Sequence, residues 1–166
     1  MSSRQRFSRG AVTVEFAIIV PLLVMLVFGI TELGRALYQL NTLTKATVSG
    51  ARFLARLDNA IDFDRVNGSC SAGAAWEGSQ QLAENLVLYG SEIAGEETLV
   101  PQMSVTFDYA YRDATYEGFS TAGCVIIAES EAVYTSIFGD EGPIIPFTDI
   151  DTFTMNQKVE ERYIGE

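Results

Sequence analysis

The sequence predicts an α+β protein in which a long N-terminal helix, transmembrane in its first half and amphipathic in its second, packs on a small antiparallel β-sheet. Three observations carry that prediction. An apolar run near the N-terminus is long enough to cross a bilayer, apolar residues then recur at spacings of three and four, and the C-terminal part alternates with a period of two. Composition agrees with a divided chain. Hydrophobic residues make up 48% of the 166, yet the formal charge is −11, so apolar and acidic segments must occupy different places. Residues 1–10 hold Arg4, Arg6 and Arg9 and no acid, whereas residues 33–166 hold 8 basic and 20 acidic side chains.

The elements follow in order. Residues 1–10 form a short basic segment, and Ala11 to Thr31, AVTVEFAIIVPLLVMLVFGIT, is apolar apart from Glu15 and two threonines. About 20 helical residues span ~30 Å of hydrocarbon, so one transmembrane helix over 11–31 is expected. Basic residues before it and an acidic body after it place the N-terminus in the cytoplasm and the C-terminal domain outside. An ordinary cleaved signal peptide fits less well. The run exceeds the usual apolar region of ~7–15 residues, no small-x-small cleavage motif follows, and helical patterning continues without a break.

Residues 32–57 continue the helix outside the membrane. Leu33, Leu37, Leu40, Leu43, Ala46, Val48, Ala51 and Leu54 recur at helical spacing, with Arg35, Asn41, Lys45 and Arg52 interleaved. Pro21 removes one helical hydrogen bond and predicts a kink or local loosening, which membrane helices tolerate. Gly29 and Gly34 are further soft points or places of close helix approach. Glu32 and Arg35 stand three apart at the membrane exit, either paired on the helix surface or as snorkelling interfacial charges.

Residues 58–166 make the extracytoplasmic α+β domain. Asp58 to Gly78 reads as a polar loop. Glu77 to Tyr89 reads as a helix, with Leu82, Leu86 and Tyr89 on one face and Gly90 as its stop. Met103, Val105, Phe107, Tyr109 and Tyr111 alternate with polar residues as in a half-buried strand. Cys124 to Ile137 and Asp151 to Tyr163 give two more, the last with Phe153, Met155, Val159 and Tyr163 inward. Turns such as Gly139-Asp140-Glu141-Gly142-Pro143 make the sheet antiparallel, and the second half of the helix is its cover.

The side chains exclude several functions. Without histidine, Ser-His and Cys-His arrangements and His-bearing metal sites cannot be built, so no catalytic residues, no metal and no cofactor are expected. Asp58, Asp62 and Asp64 lack the spacing of a calcium loop. Sparse Lys and Arg in an acidic body exclude nucleic acid as a partner. Cys70 and Cys124 in an exported domain read first as one disulfide, the alternative being two buried thiols. Tyr109, Tyr111, Tyr116 and Phe119 are read as core filling rather than a docking patch.

One feature asks for a functional reason: Glu15, a carboxylate five positions into an otherwise apolar helix, where insertion scales assign an acid at mid-helix ~3 kcal/mol and one near the helix end reaches the interface more cheaply, the bland alternatives being a snorkelling interfacial carboxylate or a contact unrelated to assembly. Gly10, a hydrophobic residue after it, Glu15 five positions on and then Phe16 resemble the type IV prepilin cleavage signal, in particular that of the Flp (tight-adherence) subclass. That resemblance implies cleavage between Gly10 and Ala11 by a prepilin peptidase, with residues 1–10 as a cytoplasmic leader.

Further residues extend the likeness. Val14-Glu15-Phe16-Ala17, Pro21, Phe28-Gly29-Ile30-Thr31-Glu32-Leu33-Gly34-Arg35 and Thr47-Val48-Ser49-Gly50-Ala51-Arg52 together resemble the opening of TadE-like proteins. Thr47 departs from the alanine common there. The resemblance implies a pilin-like fold and a non-enzymatic pseudopilin or minor pilin of a type IVb Flp pilus or related secretion machine. Its implied partners are the prepilin peptidase, other pilin or pseudopilin subunits, the Tad inner-membrane assembly complex and membrane lipid. It implies residence in the bacterial inner membrane as a single-pass protein, with incorporation in the pilus as a further state. Glu15 with Phe16 would set the assembly register, the carboxylate meeting the amine freed at Ala11. The alternatives are an unprocessed single-pass anchor displaying an extracytoplasmic binding module, and a secreted protein released beyond residue 25.

Overall fold

The computed structural model describes residues 4–113, 115–116, 119–120, 122–134, 136 and 152–165, with the side chains of 4–9, 115, 116, 119 and 120 excepted. The elements are α1 (Arg4–Ala55), β1 (Ile61–Asp64), β2 (Ser69–Ala72), α2 (Trp76–Tyr89), β3 (Ser104–Arg112), β4 (Thr115–Tyr116), β5 (Phe119–Ser120), β6 (Gly123–Val133) and β7 (Thr154–Arg162). The architecture is α+β, with a long apolar N-terminal helix and a small antiparallel sheet, as the periodicities require. Contacts divide the chain into two units, Met1–Leu37 with Thr135–Thr152, and Tyr38–Tyr134 with Phe153–Glu166.

In the first unit α1 runs through Pro21 as one assigned helix. Val12, Val14, Phe16, Ile18 and Leu22 all stay more than half exposed. In water such a surface would drive aggregation, whereas lipid satisfies it. Among the described residues this is the one helix long and apolar enough to cross a membrane. Thr31 returns its hydroxyl to the carbonyl of Val27 at 2.9 Å, so the helix itself satisfies that polar group.

In the second unit the sheet has the order β3-β6-β7, antiparallel throughout, with Phe107 opposite Ala128 and Ala128 opposite Val159. Its inner face meets α1. Thr44 Oγ1 donates to Gln157 on β7, the hydroxyls of Thr47 and Ser130 are hydrogen-bonded, and Arg52 pairs with Glu161. Leu43, Ala51 and Leu54 lose all their exposed surface beneath this contact. Leu33 and Leu37 belong to the same sequence repeat but remain exposed.

Helix α2 ends where expected, with Gly90 in the left-handed region (φ 71°) and its N–H on the carbonyl of Leu86. Its buried face is not the one that carries Leu82. Trp76, Ser79, Ala83 and Val87 are buried, while Leu82 is 38% exposed. Small residues face inward because α2 packs directly against the backbone of α1 at Gly50.

The expected loop over 58–78 also departs from prediction, since it contains the hairpin β1–β2, with Phe63 opposite Cys70. Its turn is held by the Asp64 carboxylate, which accepts from the backbone N–H of Val66 and Asn67 and from Asn67 Nδ2. Those bonds, the side-chain one foremost, hold the Asp64 carboxyl below its usual range. Gly68 closes the turn at φ 61°. The strand ends expected at Ile137 and Asp151, and the turn between them, lie outside the described residues.

Candidate functional site

The residues singled out at the N-terminus share one helix. Gly10, Ala11, Glu15 and Phe16 are all exposed on α1. An added Cβ at Gly10 would meet nothing within 4 Å. Ala11 and Glu15 are four residues apart, which on a helix puts them on one face with an axial rise of about 6 Å. An amine at Ala11 would therefore stand one turn from the Glu15 carboxylate. Among the described residues Glu15 has no hydrogen bond or ion pair.

A second carboxylate in the same unit behaves differently. Glu32 is 2% exposed and accepts a hydrogen bond from Ser136 Oγ at 3.2 Å. Burying a carboxylate needs such partners. Burial this deep does not fit a snorkelling charge. The sequence held only a weak signal for this, an acid just past an apolar span whose partner lies 104 residues away.

The later motif residues anchor the second half of α1. A Cβ at Gly50 would stand 2.3 Å from Val87 Cγ2 and 3.3 Å from the carbonyl oxygen of Ala83, so only glycine lets α2 lie this close. Ala51 is fully buried, and Arg52 Nε reaches Glu161 Oε1 at 2.9 Å. Thr47 is fully buried, donates to the Leu43 carbonyl and meets Ser130 Oγ. Its hydroxyl thus serves a hydroxyl on the facing strand that alanine would leave unpaired. Thr47→Ala is expected to cost about 1–3 kcal/mol in chemical unfolding of the full chain in detergent, and adding Ser130→Ala should recover most of it. Equal losses in the single and double variants would refute the pairing.

Cys70 and Cys124 form a disulfide that ties β2 to β6. It closes 54 residues of sequence, for which the chain-entropy model gives about 4 kcal/mol. The aromatic stretch is partly core. Tyr109 meets Trp76 edge-on at 5.1 Å and Tyr111 stacks on Phe63 at 6.1 Å, whereas the side chains of Tyr116 and Phe119 lie outside the described residues.

A family model described as TadE-like protein matches residues 10–52. Those residues are similar to a TadE-like segment. The match begins at Gly10 and ends at Arg52, taking in Glu15, Glu32, Gly50 and Ala51. Comparison with curated proteins finds no match. Comparison with solved structures finds none either. The TadE-like segment therefore joins both kinds of residue described above: an exposed apolar stretch with an unpartnered carboxylate, and a docking stretch made of a glycine, an alanine and an arginine.

Proposed function

We propose that this protein is a pseudopilin or minor pilin, a non-enzymatic subunit that takes part in assembling a Flp-type pilus or related secretion machine. One observation carries the reading: Ala11 and Glu15 share a face of an exposed apolar helix, one turn apart, directly after Gly10. A prepilin peptidase cutting after Gly10 creates an ammonium at Ala11. That charge and the Glu15 carboxylate then neutralise each other, within one chain or between neighbours, when apolar helices gather and water is excluded. The partners are other pilin or pseudopilin subunits and the Tad inner-membrane complex. Arg4, Arg6 and Arg9 support a cytoplasmic N-terminus, and the acidic second unit lies on the outer side.

N-terminal sequencing of membrane-extracted protein tests the reading. In cells containing the peptidase the mature chain is expected to begin at Ala11, and Gly10→Val should leave the leader in place. A chain retaining residues 1–10 in such cells would instead support the unprocessed anchor. A start beyond residue 25 would mark a secreted protein.

A further inference from the structure

The second unit carries an open cavity of about 1000 Å³ at one end of the sheet, lined in part by Asp62, Phe63, Arg65, Tyr111 and Arg162. Its charge runs against that of the body around it. Arg52, Arg112 and Lys158 are taken up by Glu161, Glu160 and Glu129, but Arg65 and Arg162 are in no ion pair among the described residues. Arg65 lies over the Phe63 ring at 6.0 Å. The Arg162 guanidinium lies over Gly123, where its Nε would be 3.6 Å from a Cβ. Asp62 is the one opposing charge on the wall among the described residues. Two guanidiniums beside the stacked rings of Phe63 and Tyr111 suit a ligand that presents carboxylates around an apolar group.

The chain itself offers such a ligand at the other end of the same unit. Between α2 and β3, Ser91-Glu92-Ile93-Ala94-Gly95-Glu96-Glu97 is exposed throughout, with Ile93 at 78%. Its three glutamates are in no ion pair among the described residues. The loop is held in place by the bond from Asn85 Nδ2 to the Glu92 carbonyl and by that from Leu99 N–H to the Leu88 carbonyl. A loop ordered before contact loses little entropy on binding.

Loop and cavity cannot meet within one copy. The loop leads into Ser104 and the cavity lies beside Tyr111, so most of β3 separates them, about 25 Å at ~3.3 Å per residue. Helix α2 reports the same polarity, with Trp76 against Tyr109 and Tyr89 at the loop. We infer that the cavity of one copy receives the Glu92–Glu97 loop of a second copy, Ile93 packing against the edge of the stacked Phe63 and Tyr111 rings and the glutamates meeting Arg65 and Arg162. Because donor and acceptor surfaces sit at opposite ends, the contact is head-to-tail, and such contacts propagate as open filaments unless the rotation closes a ring. The contact needs no cleavage at Gly10, so it can be tested on the uncleaved chain.

The test uses two differently tagged full-length copies in detergent, one carrying a benzophenone amino acid in place of Ile93. Irradiation is expected to yield a crosslink between copies that maps to residues 61–65 or 162–165 of the other tag. Arg65→Glu with Arg162→Glu in the acceptor should cut the yield at least ten-fold, as should Glu92→Lys, Glu96→Lys and Glu97→Lys in the donor. Combining the two charge-reversed copies should restore it, an outcome that a misfolded variant cannot produce. Crosslinks that map elsewhere, that join a different protein, that ignore charge reversal or that fail to return in the swapped pair would overturn the inference.

Discussion

Glu15→Ala is expected to leave the chain in the membrane, in normal or raised amount, while abolishing its entry into the assembled complex. The expectation comes from two opposed terms. Removing the carboxylate lowers the cost of inserting the helix, which insertion scales put at ~3 kcal/mol for an acid at mid-span and lower near the end of the span, where Glu15 stands. Assembly reverses the balance, because an ammonium at Ala11 would then be left in low dielectric without its counter-charge, and breaking such a pair by removing one partner costs about 3–5 kcal/mol. On that scale the bound fraction falls by two orders of magnitude or more. Glu15→Gln separates charge from shape, since it keeps the side chain's length and one acceptor oxygen but not the negative charge, and it is expected to fail like alanine. The measurements are the membrane fraction, for insertion, and co-purification with other pilin subunits or the sheared fibre yield, for assembly. Normal assembly by either variant would refute the role given to Glu15, whatever the outcome of N-terminal sequencing.

How far the sequence disclosed the molecule depends on the range of the interaction involved. Periodicity is local, so α1, α2 and the three long strands were legible in it, as was the stop at Gly90. The hairpin over Ile61–Ala72 was not, because four-residue strands are too short to show alternation. Its Asn67-Gly68 turn was the available signal. Partners distant in sequence were beyond reach altogether. Nothing near Glu32 points to Ser136, and nothing near Thr47 points to Ser130. The inward face of α2 was not legible for a related reason. Large leucines suggest a core-facing stripe, but where two helices touch at their backbones the small residues must face inward. Gly50 stated that requirement without saying which helix would use it.

Gly50 therefore offers the sharpest test of the packing. By helix propensity alone Gly50→Ala should stabilise α1 by up to about 1 kcal/mol. The structure predicts the opposite sign. The new methyl would lie 2.3 Å from Val87 Cγ2 and 3.0 Å from the edge of the Phe107 ring, and Val87 is itself fully buried, so it has little room to retreat. Overpacking of this kind costs about 1–3 kcal/mol, and Gly50→Val, with two further methyls, is expected to exceed that range. Gly78 in α2 supplies the control, because a Cβ there meets nothing within 4 Å, and Gly78→Ala should show the propensity gain. Trp76 is the sole tryptophan and is buried in this unit, so its fluorescence reports unfolding of the full chain in denaturant. A double-mutant cycle completes the argument. Val87→Ala leaves a cavity in the wild type but makes room in Gly50→Ala, so the pair should be more stable than the sum of the single losses by about 0.5–3 kcal/mol. Strict additivity would mean that α1 and α2 do not meet at these two residues.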